Sequence, residues 1–178
     1  MGDVPRDVLV GLSDALAAYG LRCEIQATAP VPADALDPRR GQYRAEGLLA
    51  QVPVGRKRAV LAVTFVDLFA EGLNFVFGLA NLGSPGALVS AHRLHDADGG
   101  LLLERLVREC VHELGHTWGL PHCAEEACVM RFSNSLREVD AKGRAFCESC
   151  RSSVPVVVGR ARGGPRRAAT ASPPRTSR

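Results

Sequence analysis

The spacing of apolar and polar residues predicts helices and strands in turn along the first half of the chain. Apolar side chains recur every three or four positions over residues 7–20, which predicts an amphipathic helix that ends at a glycine. Residues 21–27 alternate and predict a strand, whereas residues 29–40 are rich in Pro and Asp and predict a loop. A second helix is expected over residues 43–51.

Three apolar segments follow, and each of them predicts a β-strand. Residues 59–66 read AVLAVTFV, a near-continuous apolar run typical of a strand buried on both faces. Residues 73–79 and 87–94 predict two further strands, joined through the turn-forming sequence NLGSPG. Because strands alternate with helices, the expected fold class is α/β.

The strongest helix signal covers residues 101–118. Six apolar residues form a stripe there at three- and four-residue spacing, namely Leu103, Leu106, Val107, Cys110, Val111 and Leu114. Periodicity is weak beyond Gly119, apart from a short turn expected near residues 136–142.

Charge is distributed unevenly between the body of the chain and its last twenty residues. The 178 residues include 22 Lys and Arg against 19 Asp and Glu, a formal net charge of +3. Six of the Arg and none of the acids lie in residues 159–178, so the rest of the chain carries −3. That balance excludes a broadly basic fold that coats nucleic acid. The tail is mostly Arg, Gly, Pro, Ala and Ser, and we expect it to be disordered.

One globular domain is expected, because 178 residues are the usual length of a single domain. We assign it to residues 1–158, with an N-terminal subdomain to about residue 119 and a C-terminal subdomain over about residues 120–158. No stretch approaches the eighteen apolar residues of a membrane span, and no apolar block forms a signal peptide. We therefore expect a cytoplasmic protein without a membrane partner, and a monomer is favoured.

The long helix ends in the sequence HELGHTWGLPH, which begins at His112. His116 follows His112 by four residues, so both imidazoles lie on one helical face about a turn apart. Gly119 lets the chain leave the helix, so that His122 can return to the same point. Three neutral imidazoles leave one tetrahedral zinc position open for water, which is the arrangement of a catalytic site. Glu113 lies close enough to reach that water.

Four of the six cysteines form two closely spaced pairs after this motif: Cys123, Cys128, Cys147 and Cys150. Four thiolates close a tetrahedron around zinc and leave no position for substrate, which predicts a structural zinc site. Disulfides are the alternative, and a reducing cytoplasm disfavours them. In an extended segment, His122 and Cys123 would face opposite sides and could serve the two ions.

The other residues with reactive or aromatic side chains have simpler interpretations. Cys23 and Cys110 lie in apolar patterns and are predicted to be plain buried residues. His92 and His95 lie near a strand end, and little indicates a role in substrate binding. Trp118 is predicted to pack in the protein rather than to form a substrate platform.

The HELGHTWGLPH sequence matches the metzincin zinc-peptidase signature HExxHxxGxxH. The spacing of the four cysteines and of Met130 after it resembles the archaemetzincins, a metzincin-like family. Four further segments are similar to that family: RGQY at 40–43, VDL at 66–68, NFVFG at 74–78 and RFSNSLREVDAKGRAFC at 131–147. The resemblance covers about residues 2–152.

This resemblance implies a metzincin-like zincin fold. Its parts are a mixed twisted sheet with an antiparallel edge strand, an active-site helix carrying HExxH, and a small irregular C-terminal part with the four-cysteine zinc site. Residues 73–79 would be the edge strand, along which an extended peptide can add by main-chain pairing; an ordinary amphipathic edge strand is the alternative. Met130 would lie beneath the imidazoles. Such folds open with a strand inside the sheet, so we expect the true start to lie upstream, the alternative being a sheet without that strand.

Two functions follow from these features. The preferred one is a zinc metallopeptidase with two zinc ions per chain and a peptide or protein substrate, in which Glu113 is the general base. The alternative is a zinc-dependent module that binds nucleic acid or protein through the four-cysteine site and the basic tail. An acidic body with few aromatic residues argues against nucleic acid, and a binding module would not need Glu113.

Overall fold

The computed structural model describes residues 1–55, 58–95 and 100–154. Within them the helices are α1 (Arg6–Ala17), α2 (Ala45–Leu49), α3 (Leu102–Thr117), α4 (Leu136–Ala141) and α5 (Glu148–Arg151). The strands are β1 (Leu36–Asp37), β2 (Gln42–Arg44), β3 (Val60–Thr64), β4 (Leu68–Phe69), β5 (Gly78–Ala80) and β6 (Gly86–Ser90). Short 3-10 turns lie at Ala33–Ala35 and His92–Leu94. The prediction of a disordered tail falls outside the described residues.

The described strands form two small sheets. In the first, β6 is central and pairs in parallel with β3 and antiparallel with β5. In the second, β2 pairs antiparallel with β1 and parallel with β4. The expected α/β class is confirmed, and β5 is an antiparallel edge strand in a mixed sheet.

Helix α3 lies at the centre of the molecule. It packs against β5 and β6 on one side and against α1 and α4 on others. Every residue from Arg105 to Thr117 is buried as a result. Polar groups in such a helix need internal partners, because water cannot reach them. Arg105 accordingly forms two hydrogen bonds with the carboxylate of Asp140 in α4, of 2.8 and 2.7 Å.

The strand predicted over residues 21–27 is wrong, because these residues form no strand. Alternation shows which side chains would share a face, but a strand also needs a neighbour to pair its N–H and C=O groups. None of the described strands pairs with this segment. Cys23 is therefore exposed rather than buried, and Ile25 is exposed beside it.

Several other predicted elements are present but shorter. Tyr43 belongs to β2, so the second helix begins only at Ala45. The strand expected over residues 73–79 is reduced to β5, and β6 ends at Ser90. The loop expected over residues 29–40 contains a 3-10 turn and β1.

Strand β3 is less buried than its apolar sequence suggests. Its first three residues are half-buried, and only Val63 and Thr64 are fully buried. The reason is its position, since β3 pairs with β6 alone and lies at the edge of the described sheet. Burial on both faces was expected and is found instead in the central strand β6, in which all five residues are buried.

Helix α4 confirms the short turn expected near residues 136–142. Its N-terminus carries a reciprocal cap. The Oγ of Ser135 accepts a hydrogen bond from the Glu138 N–H at 3.4 Å, and the Glu138 carboxylate accepts from the Asn134 N–H at 2.8 Å. This cap fixes the start of the segment that leads into the second cysteine pair.

Candidate active site

Helix α3 and the turn after it bring the three predicted histidines together. The Nε2 atoms of His112 and His116 are 3.1 Å apart. The ring centroid of His122 lies 5.3 Å from that of His112 and 4.9 Å from that of His116. One ring nitrogen from each residue lies within 4.8 Å of the other two, so the group could hold one metal ion.

The return of His122 depends on the conformation of Gly119. This residue directly follows the last turn of α3 and has φ of +86°, in the left-handed region that glycine adopts without steric cost. The Leu120 N–H bonds back to the Gly115 carbonyl at 3.0 Å, which closes the helix end. The chain therefore reverses direction within three residues, as the spacing of the motif predicts.

Backbone carbonyls orient the two helical imidazoles. Nδ1 of His112 lies 2.8 Å from the Val129 carbonyl oxygen, and Nδ1 of His116 lies 2.7 Å from that of Leu120. A carbonyl can only accept, so each Nδ1 carries the proton and each Nε2 has a free lone pair. Burial lowers the pKa of all three histidines, that of His112 most strongly. Neutral imidazoles with free Nε2 atoms are what a zinc ion requires.

Glu113 directly follows His112 in α3 and is buried, and its Oε2 has no hydrogen-bond partner among the described residues. Burial and the nearby Glu109 carboxylate raise the pKa of Glu113 well above its usual range, while the Lys142 ammonium opposes them. A buried carboxylate oxygen without a partner is costly unless something polar completes its environment. The three imidazoles and this oxygen together fit a zinc ion with an associated water.

Met130 is fully buried against α3. It approaches the helix at Gly115, where an added Cβ would lie 2.9 Å from the Met130 Cε. A side chain at residue 115 would therefore exclude the methionine from its position against α3. Sequence reasoning found Met130 but missed Gly115, for which a glycine inside a strongly periodic helix was an available signal.

The four predicted cysteines also lie together, with their Sγ atoms within 4.8 Å of one another. All of them are free thiols. The backbone N–H of Cys147 donates to the Cys128 Sγ at 3.4 Å. Hydrogen bonds, chiefly from the Cys150 backbone N–H, lower the pKa of Cys147 to about 7, whereas burial raises the pKa of Cys128 and Cys150. Four convergent sulfur atoms are a donor set that zinc prefers.

The two clusters share the segment 122–130. His122 and Cys123 are adjacent in the chain, and the Cys123 N–H donates to the Met130 carbonyl at 2.9 Å. Val129, whose carbonyl accepts from His112, directly follows Cys128. The backbone that carries two of the cysteines thus also orients one of the helical imidazoles.

The remaining residues that the sequence singled out lie outside both clusters. Cys110 is buried in the core, as predicted. Trp118 is half-buried and packs against Phe146 with ring centroids 6.1 Å apart, which agrees with a packing role. His92 and His95 contact Phe65 and join neither of the metal-binding groups found in the described part of the chain.

The sequence analysis did not predict a buried ion pair that joins α3 to the residue after α4. The Lys142 ammonium lies 2.8 Å from the Glu109 carboxylate, and both side chains are almost wholly excluded from solvent. Glu109 is one helical turn before Glu113, while Lys142 follows α4. One signal was available, since Lys142 is one of only two lysines in a chain rich in Arg.

A HExxH helix that packs against the edge strand of a mixed α/β fold, with a third imidazole returned to its two histidines by the following turn, defines the class of zinc metallopeptidases. Comparison with known proteins gives the family, because a profile described as Peptidase family M54 matches residues 34–155. The chain belongs to this family, whose curated relatives here are archaemetzincins, and it is a zinc metallopeptidase. The resemblance stated from the sequence is confirmed.

The three relatives described next come from archaea and are similar in length to this chain. The archaemetzincin of Pyrococcus furiosus is 40% identical over 166 residues, which cover 84% of this chain and 86% of the relative. The crystal structure of the Archaeoglobus fulgidus archaemetzincin has a TM-score of 0.79 at 37% identity and covers 85% of this chain and 95% of its own. That of Methanopyrus kandleri has a TM-score of 0.77 at 42% identity, with 84% and 86% covered. Among the described helices, none has both the length and the apolar character needed to cross a membrane.

Proposed function

We propose that this metallopeptidase holds its catalytic zinc with His112, His116 and His122 and uses Glu113 as the general base. The observation that supports the proposal is the Glu113 carboxyl, which follows His112 in α3, is buried, and has an Oε2 without a hydrogen-bond partner among the described residues. A structural metal site held by three histidines would have no need of such a group.

The residues of this chain then divide the reaction between them. A zinc ion bound by His112, His116 and His122 would supply a water of lowered pKa and would polarise the scissile carbonyl. Glu113 accepts a proton from the attacking water at Oε2 and delivers it to the nitrogen of the leaving amine. His112 and His116 keep their Nε2 atoms available, because the Val129 and Leu120 carbonyls hold the proton on each Nδ1.

Strand β5 offers the substrate a hydrogen-bonding edge. The Ser90 N–H donates to the Phe77 carbonyl at 2.7 Å, and Gly78 lies opposite Val89. Hydrogen-bonded and non-hydrogen-bonded pairs alternate in an antiparallel ladder, so the N–H and C=O groups of Gly78 and Ala80 point away from β6. An extended peptide can pair with these groups and pass across the imidazoles.

The four cysteines are proposed to hold a second, structural zinc ion. Their thiolates would complete a tetrahedron, so this ion would leave no position for substrate. This ion would fix the segment 122–130. In that segment Cys123 directly follows His122, and Cys128 directly precedes Val129. Gly119 supports the catalytic centre by reversing the chain, and Met130 supports it by packing against α3 at Gly115.

A peptide-library cleavage assay tests this function on the wild type and on Glu113→Ala. We expect the variant to keep its zinc and to lose about 10²–10⁴-fold in kcat/KM, the usual contribution of general acid–base catalysis. Glu126→Ala is the matched control, because the Glu126 side chain is 88% exposed. A Glu113→Ala protein that cleaves at the wild-type rate would show that Glu113 is not the base.

A further inference from the structure

We infer that Gly78 is a positioning residue for the general base, because its missing side chain leaves the space that the Glu113 carboxyl occupies. This inference rests on the proposed role of Glu113. Gly78 is the first residue of β5 and lies in the sheet that packs against α3. A Cβ atom added to it would lie 2.7 Å from both Cγ and Oε1 of Glu113. Carbon atoms in good van der Waals contact are about 3.5–4.0 Å apart, so the two groups cannot occupy these positions together.

The backbone conformation of Gly78 does not explain the glycine. Six described glycines have positive φ, and Gly78 is not one of them. An L-residue could therefore adopt its φ without the strain that it would meet at Gly119. The requirement at residue 78 is one of space rather than of backbone freedom.

Helix α3 cannot readily withdraw to make room for a side chain at residue 78. It is buried on all sides over the relevant turn, and His112 is tied to the Val129 carbonyl. Close-packed protein interiors have low compressibility, so the strain from such an overlap is passed on to neighbouring groups. The carboxyl of Glu113 would instead rotate away from its present position, and general-base catalysis depends on that position.

The edge of β5 would be little changed by a methyl group at residue 78. Side chains of a strand project from the faces of the sheet, whereas the N–H and C=O groups that meet a substrate lie in its plane. Loss of Glu113 alignment should consequently lower kcat while leaving KM nearly unchanged. A second contact complicates the simple variant, because the added Cβ would also lie 2.7 Å from the backbone oxygen of Leu88.

A double-mutant cycle separates the two contacts. The proteins are the wild type, Gly78→Ala, Glu113→Ala and the double variant. Glu113→Ala removes both Cγ and Oε1, the two Glu113 atoms that the added methyl group would overlap. We expect Gly78→Ala to lower kcat about 100-fold in the wild-type background, the scale of an ångström-sized misplacement, and to lower the residual kcat of the Glu113→Ala background less than about fivefold. Zinc content and KM should stay at the wild-type values of each background.

Gly86→Ala is the matched control. Its added Cβ would meet only side-chain atoms, the nearest being Val54 Cγ1 at 2.9 Å, and Val54 is 52% exposed and free to move. We expect its kcat to remain within about twofold of the wild type. Equal losses for Gly78→Ala in both backgrounds, or a loss confined to KM or zinc content, would place the requirement at Leu88 and overturn the inference.

Thermal unfolding tests the same contact without any peptidase activity. Overpacking a buried contact should lower the Tm of Gly78→Ala by several degrees. In a Glu113→Ala background the space is vacated, so we expect the same substitution to lower Tm by less than half as much. If Gly78→Ala lowers Tm less in the Glu113→Ala background but the wild type has no peptidase activity, the proposed function is refuted and the contact between residues 78 and 113 still stands. If Gly78→Ala lowers Tm equally in both backgrounds, the contact itself is refuted.

Discussion

The buried pair of Lys142 and Glu109 gives the sharpest stability prediction. The two side chains are 0% and 4% exposed, and 2.8 Å separates the ammonium from the nearer carboxylate oxygen. The pKa of Glu109 is raised by burial, against which Lys142 and Arg108 act. Lys142→Met would leave the Glu109 carboxylate inside the protein without its cation. Breaking one partner of a buried ion pair costs about 3–5 kcal/mol.

That loss is a large part of the total stability of a domain, which is typically about 5–15 kcal/mol. For a chain of this size, 1 kcal/mol shifts Tm by about 2–4 °C, so we expect Lys142→Met to lower Tm by roughly 6–20 °C. The assay is thermal unfolding of the zinc-loaded protein. Arg58→Met is the control, because the Arg58–Glu24 pair is exposed and worth at most about 1 kcal/mol.

The double variant Glu109→Met/Lys142→Met distinguishes an ion pair from a simple packing effect. Replacing both members of a buried pair by apolar residues of similar size is often neutral. We therefore expect the double variant to recover most of the Tm lost by Lys142→Met alone. A double variant no more stable than the single one, or a Lys142→Met protein that unfolds at the wild-type temperature, would refute this reasoning.

Three further predictions concern the metal sites and the tail. Metal analysis of the reduced protein should find two zinc ions per chain, and a single zinc in the intact wild type would exclude the two-site proposal. Cys150→Ser should lose one zinc ion and unfold at a lower temperature, since metal binding at a structural site contributes to folding. In zinc-free protein at pH 7, iodoacetamide should modify Cys147 before Cys23, because the pKa of Cys147 is about 7 while that of Cys23 is raised. Peptide mapping by mass spectrometry gives the order of modification, and the reverse order would contradict the prediction. Deletion of residues 159–178 should leave kcat/KM and zinc content unchanged. A loss of activity with both ions bound would show that the tail contributes to catalysis or to substrate binding.

The histidine cluster could be predicted from sequence because every step of it is local. Four residues bring His116 one turn beyond His112, and one glycine reverses the chain so that His122 returns. The cysteine cluster could also be predicted, because its chemistry identifies it even though it spans 28 residues. Local helix geometry predicted the histidine cluster, and the ligand preference of zinc predicted the cysteine cluster.

Contacts between distant segments could not be predicted in the same way. The strand expected at residues 21–27 had the correct alternation, but alternation carries no information about whether a partner strand lies alongside. The overlap between Gly78 and Glu113 joins residues 35 positions apart, and the Lys142–Glu109 pair joins residues 33 apart. These contacts depend on how the sheet and the C-terminal segment pack on α3, which periodicity does not specify.

The segment 122–130 contributes residues to both clusters, and this shared role explains why the clusters are close in the chain. An imidazole must be held in one tautomer and one orientation to bind zinc well, and partners of metal ligands affect metal affinity strongly. Here the partner of His112 is the carbonyl of Val129, which directly follows Cys128. The same segment supplies His122 at one end and the buried Met130 at the other. A loop without regular secondary structure would be too mobile for this task, and four thiolates on a second ion would hold it in place without occupying the catalytic cleft.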